Sequence, residues 1–162
     1  MFRKLILSIL LSTLVYSSSL KLNDKISNFS LTDQFDRIHT ITSEVSTIVI
    51  TFEKETLNSV NDFLSKKERD FLEKNNAIFI ANISCLPNIF TRMFTLPKLR
   101  DYKYSILLIY DEKSAKFFEV ENKITVYSIE NGIVKNIRYL NSIFELEEIL
   151  KWILFHLMNL KY

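Results

Sequence analysis

Two short apolar runs with an amphipathic stretch between them constrain this chain more than any other feature. Thr47-Ile48-Val49-Ile50-Thr51-Phe52 and Ala77-Ile78-Phe79-Ile80-Ala81-Asn82-Ile83 carry no charge and are rich in β-branched and aromatic residues, as strands buried on both faces are. Between them Leu57, Val60, Leu64, Phe71 and Leu72 recur at helical spacing, and Lys66, Lys67, Glu68, Arg69 and Asp70 fill the gaps. This predicts one amphipathic helix from about Glu55 to Asn75. A strand, a helix of that length and a second strand form a crossover unit, whose right-handed connection makes the strands parallel members of one sheet.

The flanking segments extend that sheet. Asp24 to Ile41 alternates apolar and polar residues on either side of a polar turn from Asp33 to Arg37, the pattern of a hairpin. Ser84 is placed to cap a short helix with Pro87 in its first turn, carrying Ile89, Phe90, Met93 and Phe94 and ended by Pro97. Ile106 to Tyr110 reads as a third apolar strand. Ile124 to Ile129 and Ile133 to Leu140 flank Asn131-Gly132, a strong hairpin signal. Ser142-Ile143-Phe144-Glu145 is a capping box opening a last helix to about Asn159, with Leu146, Ile149, Leu150, Ile153, Leu157 and Leu160 on one face. Gly132 is the single glycine, so the other turns fall to Asn, Asp, Ser and Pro.

The first residues bear on compartment. A basic start, Met1-Phe2-Arg3-Lys4, an apolar run from Leu5 to Tyr16 and the small residues Ser17, Ser18 and Ser19 make a secretory signal pattern. The run is shorter than the ~20 residues that span a bilayer. Residues 1–19 therefore read as a signal peptide and residues 20–162 as one exported, periplasmic domain with no stable membrane span after cleavage. An uncleaved signal anchor is the alternative. Without Arg3 and Lys4, the 19 remaining basic residues match the 19 acidic ones, which leaves no basic excess for nucleic acid. Cys85 is the sole cysteine, so no intrachain disulfide forms and stability rests on packing.

In its order of elements, and in Asn28-Phe29-Ser30-Leu31-Thr32-Asp33-Gln34-Phe35-Asp36, the chain resembles the thioredoxin-like superfamily. It is most similar there to exported redoxins and peroxiredoxin-related proteins, whose mature chains often begin with a Phe-x-Leu-x-Asp segment before a hairpin turn. The resemblance spans about Asp24 to Leu157. It implies an α/β, thioredoxin-like three-layer sandwich: a mixed central sheet with an N-terminal hairpin and flanking helices. It also implies two catalytic marks. A Cys-x-x-Cys or a peroxidatic cysteine should open the helix after the first central strand, and that window, Glu53 to Val60, holds no cysteine. A cis-proline should precede the third central strand, where Lys103-Tyr104-Ser105-Ile106 stands, so that Tyr104 or Ser105 replaces it. With both marks missing, the oxidoreductase activity of the superfamily does not carry over.

The expected function is therefore binding. The occupant is an envelope protein or peptide, or a second copy of the chain, in the groove that the resemblance assigns to substrates. Glu53, Lys54, Glu55, Ser84, Cys85, Tyr104 and Ser105 are its expected residues, and Trp152 and Phe155 of the last helix, beside Phe144 and Met158, add an aromatic surface. No cofactor is expected, and no metal, since His39 and His156 lack partners at ligand spacing. A competing reading makes Cys85 the nucleophile of a single-cysteine thiol oxidoreductase or peroxidase; the plainer one makes it a small buried hydrophobe. Glu53, Lys54, Glu55, Asp33 and His39 show no fixed acid–base spacing and read as solvated or half-buried side chains. Lys98, Arg100, Tyr102 and Lys103 form a basic-aromatic segment that could hold an anion, but it reads more plainly as a solvated loop.

Overall fold

The computed structural model describes residues 19–86, 91–111 and 117–159, the side chains of Arg92 and of 154–159 excepted. Nearly all of the leader expected at 1–19, Pro87, and the side chains of Phe155, His156 and Met158 lie outside the described residues. The elements run β1 (Phe29–Asp33), β2 (Ile38–Ile41), β3 (Thr47–Thr51), α1 (Lys54–Leu64), α2 (Phe71–Lys74) and β4 (Ala77–Asn82). A π-helical turn (Thr91–Thr95) then leads into α3 (Leu96–Leu99), followed by β5 (Leu107–Ile109), β6 (Ile124–Glu130), β7 (Ile133–Leu140) and α4 (Ile143–Asn159).

The two apolar runs behave as their composition requires. Every residue of β3 is buried, and β3 pairs in parallel with β4 from Thr47 opposite Ala77 to Thr51 opposite Ala81. The full sheet is ordered β2-β1-β5-β4-β3-β6-β7. β5 adds in parallel to β4, while β1 on one side and β6 on the other pair antiparallel.

The pleat sends successive side chains to opposite faces and so builds two cores. Val49, Phe79, Leu108 and Val126 meet Leu57, Val60 and Phe63 of α1, Leu72 of α2, Leu99 of α3, and Leu146, Ile149, Leu150 and Ile153 of α4. Ile48, Ile50, Ile80, Leu107 and Tyr127 point the other way and meet Ile26, Ile41, Val45 and Phe117. Among the described residues all the helices thus pack on one face, and extended segments form the third layer. The N-terminal part of that cover is tied to β7 by Asn23 N–H to the Val134 carbonyl (2.8 Å) and Ile26 N–H to the Gly132 carbonyl (2.8 Å).

Two local expectations are corrected. The helix from Glu55 to Asn75 is two helices. After Leu64 the next apolar residue is Phe71, and the charged run between them offers the sheet nothing to bury. The backbone tightens there, with Lys66 and Lys67 N–H donating three residues back to Phe63 and Leu64, and Phe71 returns edge-on to Phe63 with ring centroids 5.9 Å apart. Pro97 does not end the short helix but lies in the first turn of α3, where a missing N–H costs nothing. The helix start expected after Ser84, at residues 87–90, lies outside the described residues; the Ser84 N–H and hydroxyl both donate to Asn82 Oδ1 (3.0 and 2.7 Å).

The turn chemistry follows the glycine scarcity. The non-glycine residues with positive φ among those described are Asn23, Asp36, Asn76, Asn122 and Asn131, the side-chain types that tolerate the left-handed region best. Asn131 and Gly132 both have positive φ between β6 and β7, as a two-residue hairpin turn needs. At α4, Glu145 N–H donates to Ser142 Oγ (3.4 Å), and Glu145 Oε1 accepts from the Ser142 hydroxyl (3.2 Å) and Asn141 N–H (3.3 Å). Ser142 thus caps as the sequence pattern requires, while Glu145 reaches back to the Asn141 amide rather than to that of Ser142.

Candidate functional site

Parallel strands present their C-terminal ends together, and β3 and β4 here deliver Phe52-Glu53-Lys54-Glu55 and Ile83-Ser84-Cys85 to the same end of the sheet. Glu53 is the N-cap of α1 without a capping side-chain bond. Its carboxylate turns outward and both oxygens accept the Asn122 N–H (3.1 Å each). Asn122 stands before β6, the strand antiparallel to β3. Its left-handed φ of 57° aims that amide at the start of α1. Thr56 Oγ1 donates to the Glu53 carbonyl (3.0 Å) and Ser59 Oγ to the Glu55 carbonyl (2.9 Å), closing the first turn.

Cys85 is exposed, which corrects its reading as a buried hydrophobe. Two residues beyond the last buried one, Ile83, the chain has left the sheet, and the apolar neighbours that suggested burial do not cover the sulfur. Its polar contact among the described residues is the Phe52 carbonyl, 4.0 Å from Sγ, a contact that a protonated thiol makes. Ser84 is half-buried, while Lys54 and Glu55 are exposed.

The other expected groove residues lie elsewhere. Leu107 of β5 pairs with Ile80 of β4, so Tyr104 and Ser105 sit toward the end where the parallel strands begin, away from Glu53. Tyr104 is buried, donates to Asn61 Oδ1 (2.9 Å) and stacks on Tyr102; burial raises its phenol pKa. Neither residue replaces a proline facing the nucleophile position, since the chain that borders Glu53 from that side is Asn122. The sequence placed the mark before the third strand in chain order, but that strand joins the far side of β4. Trp152 is 62% exposed and lines a separate cavity with Ser43–Ser46 and Ser128–Asn131, again away from Glu53. Lys98 and Arg100 are exposed and also bonded: Lys98 Nζ donates to Asn58 Oδ1 (3.3 Å), and Arg100 to the Gln34 carbonyl (2.7 Å) and Asp36 (3.1 Å). Among the described residues no three His, Cys, Asp or Glu side chains group to hold a metal, and no helix is long and apolar enough to cross a membrane.

One polar centre was not foreseen. Asp33, read as solvated, is fully buried. Its Oδ1 accepts Phe35 N–H (2.9 Å) and Arg37 N–H (3.0 Å), while Oδ2 accepts Arg37 Nε (2.8 Å) and Nη2 (2.7 Å) and lies 2.9 Å from His39 Nε2. Burial pushes this carboxyl up, but the bonds from Arg37, His39 and the two amides outweigh it and leave its pKa at about 2. An ionised carboxylate only accepts, so Nε2 carries the His39 proton. The signal in the sequence was an Asp followed by a polar turn, the Asx-turn pattern.

Comparison with solved structures bears on this arrangement. The chain is similar to peroxidoxin BcpB from Mycobacterium tuberculosis (TM-score 0.53, 15% identity, 83% of this chain and 96% of that one). It is also similar to a protein described as the thiol:disulfide interchange protein DsbE of Chlorobium tepidum (0.54, 15%, 84% and 99%) and to a peroxiredoxin-like protein of Aquifex aeolicus (0.50, 11%, 83% and 86%). No protein-family model matches the sequence, and no curated protein matches it. At such identities the likeness speaks for the fold, and the fold is thioredoxin-like.

Proposed function

We propose that this thioredoxin-fold chain is exported and binds a peptide or protein of the cell envelope at the C-terminal end of its central strands, without dithiol chemistry. The observation that carries this reading is the bond between the Glu53 carboxylate and the Asn122 amide. The helix start that the resemblance reserves for a thiolate is taken by a carboxylate, which opposes a second negative charge beside it. The exposed side chains of Lys54, Glu55 and Cys85 stand where an incoming chain would meet them. The basic and apolar pattern of the first residues supports export.

The exposure of Cys85 favours a second reading, a single-cysteine thiol oxidoreductase. Its thiolate would attack a partner disulfide, form a mixed disulfide and expel the partner's other sulfur as thiolate, and an external thiol would then release Cys85. One experiment separates the two. A photo-crosslinking residue is placed at Lys54 in the full chain, with one at the exposed Lys135 of β7 as control, in intact cells carrying Cys85 or Cys85→Ser. Binding without thiol chemistry gives one crosslinked species at Lys54 in both backgrounds and none at Lys135. No species at Lys54, or peroxide or disulfide turnover by the purified protein that Cys85→Ser abolishes, would overturn it.

A further inference from the structure

A second opening lies away from the end proposed to bind a peptide. A cavity of about 690 Å3 lies where β3 and β4 begin, within the size range of small-molecule sites. One wall carries Arg37 and His39 of the β1–β2 hairpin and Lys103 of the segment before β5. Asp33 holds the first two in place from beneath, and the Ser105 hydroxyl lies 3.5 Å from the same carboxylate oxygen.

The facing wall is mainly acidic, with Arg69 beside its carboxylates. Asp70 and Glu73 come from the start and body of α2, and Glu44 from the entry to β3. Asn76 joins these pieces, donating from Nδ2 to the Glu44 carbonyl (2.7 Å) and from its amide to the Glu73 carbonyl (2.9 Å). Leu72, Ile78 and Leu107 line the space between.

Accounting for ion pairs leaves unpaired charges of both signs. Asp33 neutralises Arg37, and Lys74 is shared between Asp70 (3.1 Å) and Glu68, which does not line the cavity. Lys103 and Arg69, which also lines the cavity, remain against Glu44 and Glu73, and none of these four is ion-paired among the described residues. An anion alone would meet two unpaired carboxylates here, and a cation alone two unpaired cations. A ligand with both charges, set apart by an apolar body, meets its complement on each side.

We propose that this cavity binds a zwitterion: a free amino acid or a short peptide with both termini unblocked and an apolar side chain. Its carboxylate lies toward Lys103, its ammonium toward Glu73 and Glu44, and its side chain against Leu72 and Ile78. The inference does not depend on the peptide-binding reading of the opposite end.

Calorimetric titration of the full chain tests it, with L-leucine, the dipeptide Ala-Leu, N-acetyl-Ala-Leu and Ala-Leu amide as probes. Leucine or Ala-Leu binds, and the tighter of the two distinguishes a free amino acid from a peptide as the preferred occupant. Acetylating or amidating the dipeptide weakens binding about tenfold, the worth of one charge-assisted contact. Lys103→Gln and Glu73→Gln each weaken the unblocked probe by a similar factor while keeping the parent's urea midpoint. The proposal is overturned if neither unblocked probe binds at about 10 mM, if the blocked dipeptides bind equally well, or if both variants bind like the parent.

Discussion

Asp33 has no access to solvent, yet its carboxyl titrates at about 2 where 3.8 is ordinary. Burial disfavours its charge, and the hydrogen bonds of Arg37, His39 and two backbone amides more than restore it. A carboxyl whose folded pKa is depressed stabilises the fold at pH above its unfolded value. That stabilisation, about 2 kcal/mol here, is lost as pH falls from near 3.8 toward 2. Asp33→Asn should therefore lower the urea midpoint at neutral pH, and the variant's stability should change less than the parent's between pH 4 and pH 2. Equal acid dependence of the two proteins would show that the buried charge contributes nothing. Asp33 and Cys85 were both misread from sequence for one reason, that burial belongs to the assembled molecule. Asp33 sits in a polar stretch but under a hairpin that closes over it, and Cys85 sits between apolar residues but beyond the edge of the sheet.

Elements with a strong period were legible, and those held by irregular contacts were not. β3 and β4 followed from two uncharged β-branched runs, and α4 from its capping box and the Leu146, Ile149, Leu150 and Ile153 stripe. The break between α1 and α2 was hidden because Leu64 and Phe71 are one heptad apart and keep helical phase across the interruption. The β6–β7 turn shows how narrowly a legible element can be specified. Gly132 has φ +73°, and a Cβ built there would stand 2.6 Å from Ser43 Cβ. Gly132→Ala should destabilise the chain by about 1 to 3 kcal/mol through the backbone conformation and the clash together. Ser43→Gly in the same chain should recover part of that loss, because it removes the nearest atom. Additive effects in a double-mutant cycle of urea midpoints would mean that the two residues do not meet.

At the scale of the molecule, the order of strands decides which residues share a site. The crossover from β3 to β4 could be read from the sequence, but the placement of β5 on the far side of β4 could not, since Ile106 to Tyr110 suits either neighbour equally. That one ambiguity sent Tyr104 and Ser105 to the wrong end and hid Asn122. The same topology leaves the second core to be closed by extended chain, with Ile26 3% exposed over Ile48, Ile50 and Val134. A chain beginning at Ser27 should lose about 3 kcal/mol relative to one beginning at Leu20, from the burial of Ile26 and part of Leu20. Matching urea midpoints for the two would mean that this cover seals nothing. The strap also sets how the molecule bears mechanical load. Tension applied at the N-terminus reaches the bonds from Asn23 to Val134 and from Ile26 to Gly132 one after another, so the extended side peels open at low force while the helical side stays shut.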